Sequence, residues 1–134
     1  MAKIRLGNAP ESISYKATFN GWDGKEVAII GRAKYRTRKQ WAEMQDALQA
    51  KSLSQATVED APNRTMLQQQ EALMRFSAEF LAGNILSWDL QDDDGEPLPV
   101  TVESLMELGD VCPQAVTALT VAYNSAVLEG RLGN

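Results

Sequence analysis

Near residue 37 the spacing of the apolar residues changes, and that change fixes the kind of fold available. Before it, residues 12–20 alternate. Ile13, Tyr15, Ala17 and Phe19 fall on one side, and Ser14, Lys16 and Thr18 on the other. Period two marks a half-buried strand. Glu26 to Thr37 reads as a second strand carrying Val27, Ile29, Ile30, Ala33 and Tyr35. Its alternation slips around Ile29-Ile30-Gly31, and a bulge at Gly31 accounts for the slip. Asn20-Gly21-Trp22-Asp23-Gly24 between them is turn chemistry, with two glycines able to take positive φ. The pair makes a β-hairpin. A lone hairpin is marginal in water, so the rest of the chain must cover it.

After residue 37 the spacing is helical. Thr37 is a good N-cap, and Gln40 three residues on completes a capping box. Trp41, Met44, Ala47 and Leu48 form one apolar stripe, in a helix that ends near Lys51. Residues 52–63 are polar and weakly patterned and read as a mobile loop. A second helix over residues 64–83 presents Leu67, Leu73, Met74, Phe76, Phe80 and Leu81, and Gly83-Asn84 is its stop signal. Ile85, Leu86, Trp88 and Leu90 are a short apolar stretch of either type. An acidic turn follows, Asp92-Asp93-Asp94-Gly95-Glu96-Pro97. Thr101 caps a short helix that Gly109 stops. Pro113 opens a last helix carrying Val116, Leu119, Thr120, Tyr123 and Val127, which ends at Gly130.

Strands first and helices afterwards predict an α+β fold: an N-terminal antiparallel β-hairpin or small sheet followed by about four α-helices. The 134 residues suit one domain, with a loose arm over 1–11 and a short tail over 131–134. Trp41, Phe76, Phe80 and Tyr123 lie on apolar stripes and belong to the core. Trp22 and Trp88 lie in or beside turns, where an aromatic either caps the core or anchors an interaction. The five methionines fill core gaps or supply an adaptable surface.

The chain has no histidine and one cysteine. That excludes a Ser-His-Asp triad, a Cys-His dyad, a histidine-ligated metal, a zinc ribbon and an internal disulfide. Cys112 beside Pro113 has no histidine to act as its base and reads as an inert, partly buried thiol. Phosphate-binding glycine loops are absent. The acids at Asp89, Asp92, Asp93, Asp94 and Glu96 fit no EF-hand register: with Asp89 first, Asp94 falls on the glycine position and Val100 on the glutamate position. A solvated turn explains them, because aspartate and glycine are turn residues for local reasons. No catalytic residue, cofactor or metal site is expected. One cysteine, no signal-like N-terminus and no apolar run of about 20 residues point to a cytoplasmic protein without a membrane span.

Charge is unevenly placed. Residues 1–40 hold nine basic residues and three acids, and residues 41–134 hold four basic residues and fifteen acids. Arg32, Lys34, Arg36 and Arg38 alternate, and on a strand they would share one face. Such a strip is the solvated face of a strand, a nucleic-acid contact, or a surface that meets an acidic patch on another copy or a partner. Against nucleic acid, the whole chain is acidic and no aromatic platform accompanies the strip.

The C-terminal half runs Ile85-Leu86-Ser87-Trp88-Asp89, then Asp94-Gly95-Glu96-Pro97-Leu98-Pro99-Val100-Thr101. Val111-Cys112-Pro113, Tyr123-Asn124-Ser125-Ala126 and Gly130-Arg131-Leu132-Gly133-Asn134 follow. This succession of a tryptophan, an acidic D-G-x-P-x-P turn, a Thr-capped short helix and a last helix with a Gly-Asn tail resembles the tail assembly chaperones of long-tailed bacteriophages. The resemblance is loose over residues 15–134 and more specific over 85–134. It implies a non-enzymatic protein that binds the tape measure protein, keeps it soluble, helps recruit tail tube subunits and is absent from the finished virion. Possible partners are therefore the tape measure protein, the tail tube protein and further copies of the chain. Within that reading, Trp88, Leu98 and Pro99 are expected to form an ordered turn that positions the last helix. The competing reading is a nucleic-acid-binding accessory protein that uses Arg32, Lys34, Arg36 and Arg38. A third is a cation or hydrolytic site at Asp92, Asp93 and Asp94.

Overall fold

The computed structural model describes residues 11–56 and 65–129. Almost all of the expected arm, residues 57–63 of the expected loop, the stop at Gly130 and the tail lie outside them. The order is β1 (Ser12–Asn20), β2 (Glu26–Lys34), α1 (Arg38–Ala56), α2 (Met66–Asn84), β3 (Ile85–Trp88), α3 (Val102–Val111) and α4 (Pro113–Glu129). It is the expected α+β architecture, and the stretch of undecided type is a strand. The three strands form an antiparallel sheet in the order β1-β2-β3.

β1 and β2 pair in unbroken register from Ser12↔Lys34 to Asn20↔Glu26. Gly24, at φ 78°, lets the link turn back on itself. Glu11 adds one more bond, its carbonyl accepting from the Tyr35 N–H at 3.3 Å. The expected bulge at Gly31 is absent from this pairing. The irregularity lies on the other side of β2, between Arg32 and Ala33, where β3 pairs. β2 also ends three residues earlier than expected. Gly31 serves a close approach instead. A Cβ at that position would stand 1.9 Å from the Ser87 carbonyl oxygen. Opposite Gly31 sits Tyr15, whose hydroxyl donates to that same carbonyl at 2.8 Å. An aromatic side chain beside a strand glycine restores packing that the glycine lacks.

Helices cover one face of the sheet. Ile13, Tyr15, Ala17, Ile29 and Ala33 point into the core, where they join Leu81 of α2, Leu105 of α3 and Leu119 and Tyr123 of α4. Phe80 meets Tyr123 edge-on at 5.8 Å, a favoured aromatic geometry. The other face of the sheet carries Lys16, Thr18, Ile30, Arg32 and Lys34 and is exposed.

Caps explain most helix boundaries. Thr37 and Gln40 form the expected box, each accepting from the other's backbone N–H. α1 nevertheless runs to Ala56, so residues 52–56 of the expected loop are helical. α2 starts behind a second box, Thr65 with Gln68, rather than at residue 64. It passes through Gly83 and ends at Asn84, entering β3 without a loop. Gly109 does not stop α3, which continues to Val111. It is buried inside the helix, where a Cβ would stand 2.3 Å from the Met74 sulfur of α2. The glycine leaves room for the Met74 side chain, which helical spacing within one segment does not reveal.

Candidate functional site

The four basic residues do not form a strip, because β2 ends at Lys34. Arg32 and Lys34 lie on its exposed face. The Arg32 guanidinium is turned onto Ser12, with Nη2 2.7 Å from the hydroxyl and 3.0 Å from the carbonyl. Arg36 points inward, and its Nε and Nη2 donate to Asn84 Oδ1 at 3.0 and 2.8 Å. Arg38 is exposed as the first residue of α1. Once the strand stops, period two no longer assigns faces.

Asn84 is the one buried polar side chain among the described residues. Its amide nitrogen donates to the Phe80 carbonyl at 2.8 Å, and its oxygen accepts from Arg36. The Tyr123 hydroxyl lies 3.2 Å from that oxygen and 3.3 Å from the Lys34 carbonyl, sharing one proton between them. The end of β2, the end of α2 and the middle of α4 thus meet at one satisfied buried network. In the sequence Asn84 reads as part of a stop signal. Its burial depends on residues 48 and 39 positions away, so no local signal marks it. Burial pushes the Tyr123 hydroxyl above its ordinary range, and Arg36 draws it partly back. Burial pushes Tyr15 up as well, reinforced by the Asp89 carboxylate. Both phenols stay neutral donors at pH 7.

Trp88, Leu98 and Pro99 do lie in an ordered turn. The Trp88 indole donates to the Leu98 carbonyl at 2.8 Å, and the Leu98 N–H to the Leu90 carbonyl at 3.0 Å. Inside this frame, Asp92 Oδ1 accepts from the N–H groups of Asp94 and Glu96, and Gly95 takes φ 80°. Pro99 is exposed, and the turn leads directly into α3, the helix before the last. The Asp92 carboxylate is spent on local geometry. Among the described residues, no three histidine, cysteine, aspartate or glutamate side chains gather as a metal site would require. None of the described helices is long and apolar enough to cross a membrane.

Among the described residues, apolar surface stands open in several places. Leu48 of α1, Phe76 and Phe80 of α2 and Thr120 and Asn124 of α4 line an open groove of about 430 Å³. The Trp41 indole donates to Asn124 Oδ1 at 3.1 Å and ties α1 to α4 at one end. Lys51 reaches Glu79 at 3.0 Å and lies over the Phe76 ring, 5.9 Å from its centre. This ion pair is exposed and adds little stability. On the same helix as Phe76, Met66, Leu67 and Leu73 are 72%, 70% and 63% exposed. The expected apolar face of α2 is therefore only half buried, and Ala47 of the α1 stripe is also exposed. Trp22 is an exposed aromatic, and its indole donates to the Val111 carbonyl at the end of α3. At 82% exposure it does not cap the core.

A search of curated proteins and a search of solved structures each find no match. The model of one family, described as phage tail assembly chaperone, matches residues 1–134. With the whole length covered, the chain belongs to the phage tail assembly chaperone family.

Proposed function

We propose that this chaperone binds the tape measure protein in the host cytoplasm, keeps it soluble and helps recruit tail tube subunits. It acts by protein binding, catalyses nothing and leaves before the virion is finished. The observation that carries the reading is the uncovered apolar surface of α2. Met66, Leu67 and Leu73 lie on the same helix as Phe76 and are not needed to close the core. Monomeric proteins rarely leave such a surface bare without a partner for it. A groove among three helices suits the apolar stripe of a helical client, laid in by residues at i, i+3, i+4 and i+7. Several copies along a rod-shaped client would each cover one stretch of it. The uneven charge of the chain suits head-to-tail contact between them.

The test is co-expression with a phage tape measure protein, followed by pull-down and measurement of client solubility. A soluble complex with many copies per client is the expected result. A folded chaperone that neither binds nor solubilises the client overturns the proposal.

A further inference from the structure

The tip of the β1–β2 hairpin carries an aromatic residue that is both exposed and fixed. Trp22 stands in solvent, yet its indole N–H is held 3.1 Å from the Val111 carbonyl at the end of α3. Gly21, Trp22, Asp23, Val27, Val111 and Cys112 line an open groove of about 450 Å³ where the tip meets that helix end. Val27 and Val111 are exposed as well. A pinned aromatic loses little freedom when a partner covers it, which suits it to anchor a contact.

The surroundings are acidic. Asp23 lines the groove. On α3, Glu103, Glu107 and Asp110 fall at i, i+4 and i+7, so they share a face that runs to the Val111 end. All four are exposed, and among the described residues none of them is in an ion pair. Lys25 in the turn offsets one of these charges, but from residue 76 to residue 129 the chain holds ten acids and no lysine or arginine. An occupant that matches this groove carries an apolar side chain with bases close beside it. Two such grooves facing each other would set acids against acids, so copies do not meet groove to groove.

The chain itself contains a segment of that chemistry, Lys3-Ile4-Arg5-Leu6, ahead of the described residues. It precedes Ser12, and β1 then leads away from that end towards the tip. β1 extends about 27 Å from Ser12 to Asn20. Leu6, six residues before Ser12, lies at most about 21 Å from it, so it cannot reach the tip of its own hairpin. Ile4 could do so only with the intervening chain drawn taut. Neither limit applies to a second copy. We propose that the segment Lys3–Leu6 of one copy docks in the Trp22 groove of the next. Ile4 enters between Trp22, Val27 and Val111, and the long stems of Lys3 and Arg5 carry their charges to the acids of the tip and α3. Each copy has one segment and one groove, so the contact is heterologous and extends into an open row. The proposal names residues for the head-to-tail contact and rests on the client-binding reading for what the row is for.

The test is sedimentation velocity of the full chain, without client, from about 10 μM to about 1 mM at low salt. The expected result is a sedimentation coefficient that rises with concentration and falls back when salt is added. Trp22→Ala and the double change Lys3→Glu with Arg5→Glu should each weaken association about tenfold. An equal mixture of these two variants should recover association but stop at dimers, because one keeps the segment and the other keeps the groove. The double variant alters no described residue, so it tests the contact even if Trp22→Ala does not fold. A chain that stays monomeric, variants that associate as well as the unaltered chain, or a mixture that does no better than its parts overturns the proposal. Because no client is present, failure here is distinct from failure of the co-expression test.

Discussion

The two halves of α2 belong to one helix and behave as different materials. From Ala78 to Asn84 it supplies buried side chains to the core, with Ala78 and Leu81 wholly enclosed. From Met66 to Leu73 it holds three large apolar residues in solvent. The first half is kept helical by a local device, the Thr65–Gln68 capping box. The second half is kept in place by packing against α3, α4 and the sheet. Burial is where the stability of this protein resides, and the uncovered half is free to serve a partner.

The largest effect should come from breaking the packed side at its tightest point. Gly31→Val would push a side chain into the Ser87 carbonyl and force β3 off the sheet. A loss of about 3–5 kcal/mol is expected, read as a collapse of the urea midpoint. Next, Leu119→Ala, wholly buried in α4, should cost about 2–5 kcal/mol by transfer and cavity terms. Leu73→Ser on the exposed half should stay within about 0.5 kcal/mol yet weaken client capture in the pull-down. Equal destabilisation by Leu119→Ala and Leu73→Ser would erase the distinction between the halves. Trp88→Phe removes one hydrogen bond, to the Leu98 carbonyl, and should cost about 1 kcal/mol. The turn should then loosen, visible as faster amide exchange at Leu98.

The smallest effect is alkaline. Unfolded tyrosines ionise near pH 10, while folded Tyr15 and Tyr123 hold their protons to higher pH. Above about pH 10 the folded state therefore binds more protons than the unfolded one, and stability falls as pH rises. Below that range the contribution is fully present. Thermal melts between pH 8 and 11 should decline only at the alkaline end, and less in Tyr15→Phe.

Local signals are legible in the sequence because they act locally. The span of β1, the Thr37 and Thr101 caps and the Pro113 start all depend on neighbours within four residues. The errors share one cause. α1 outlasts Lys51 because weak apolar patterning does not stop a helix; only a breaker does. Gly83 and Gly109 read as stops, yet both are helical: a Cβ at Gly109 would meet the Met74 side chain, and one at Gly83 would meet nothing. The basic alternation from Arg32 to Arg38 suggested one face, and the chain left the sheet in the middle of it.

By itself the sequence determined the fold class, most helix starts and the absence of histidine chemistry, since periodicity, caps and composition are properties of short segments. Tertiary structure alone decided that Arg36 turns inward to Asn84 and Tyr123, that Gly31 yields to Ser87, and that large apolar residues in the first half of α2 stay exposed. Each of these depends on which distant residues arrive at one place, and desolvation acts on that meeting rather than on the segments that supply it.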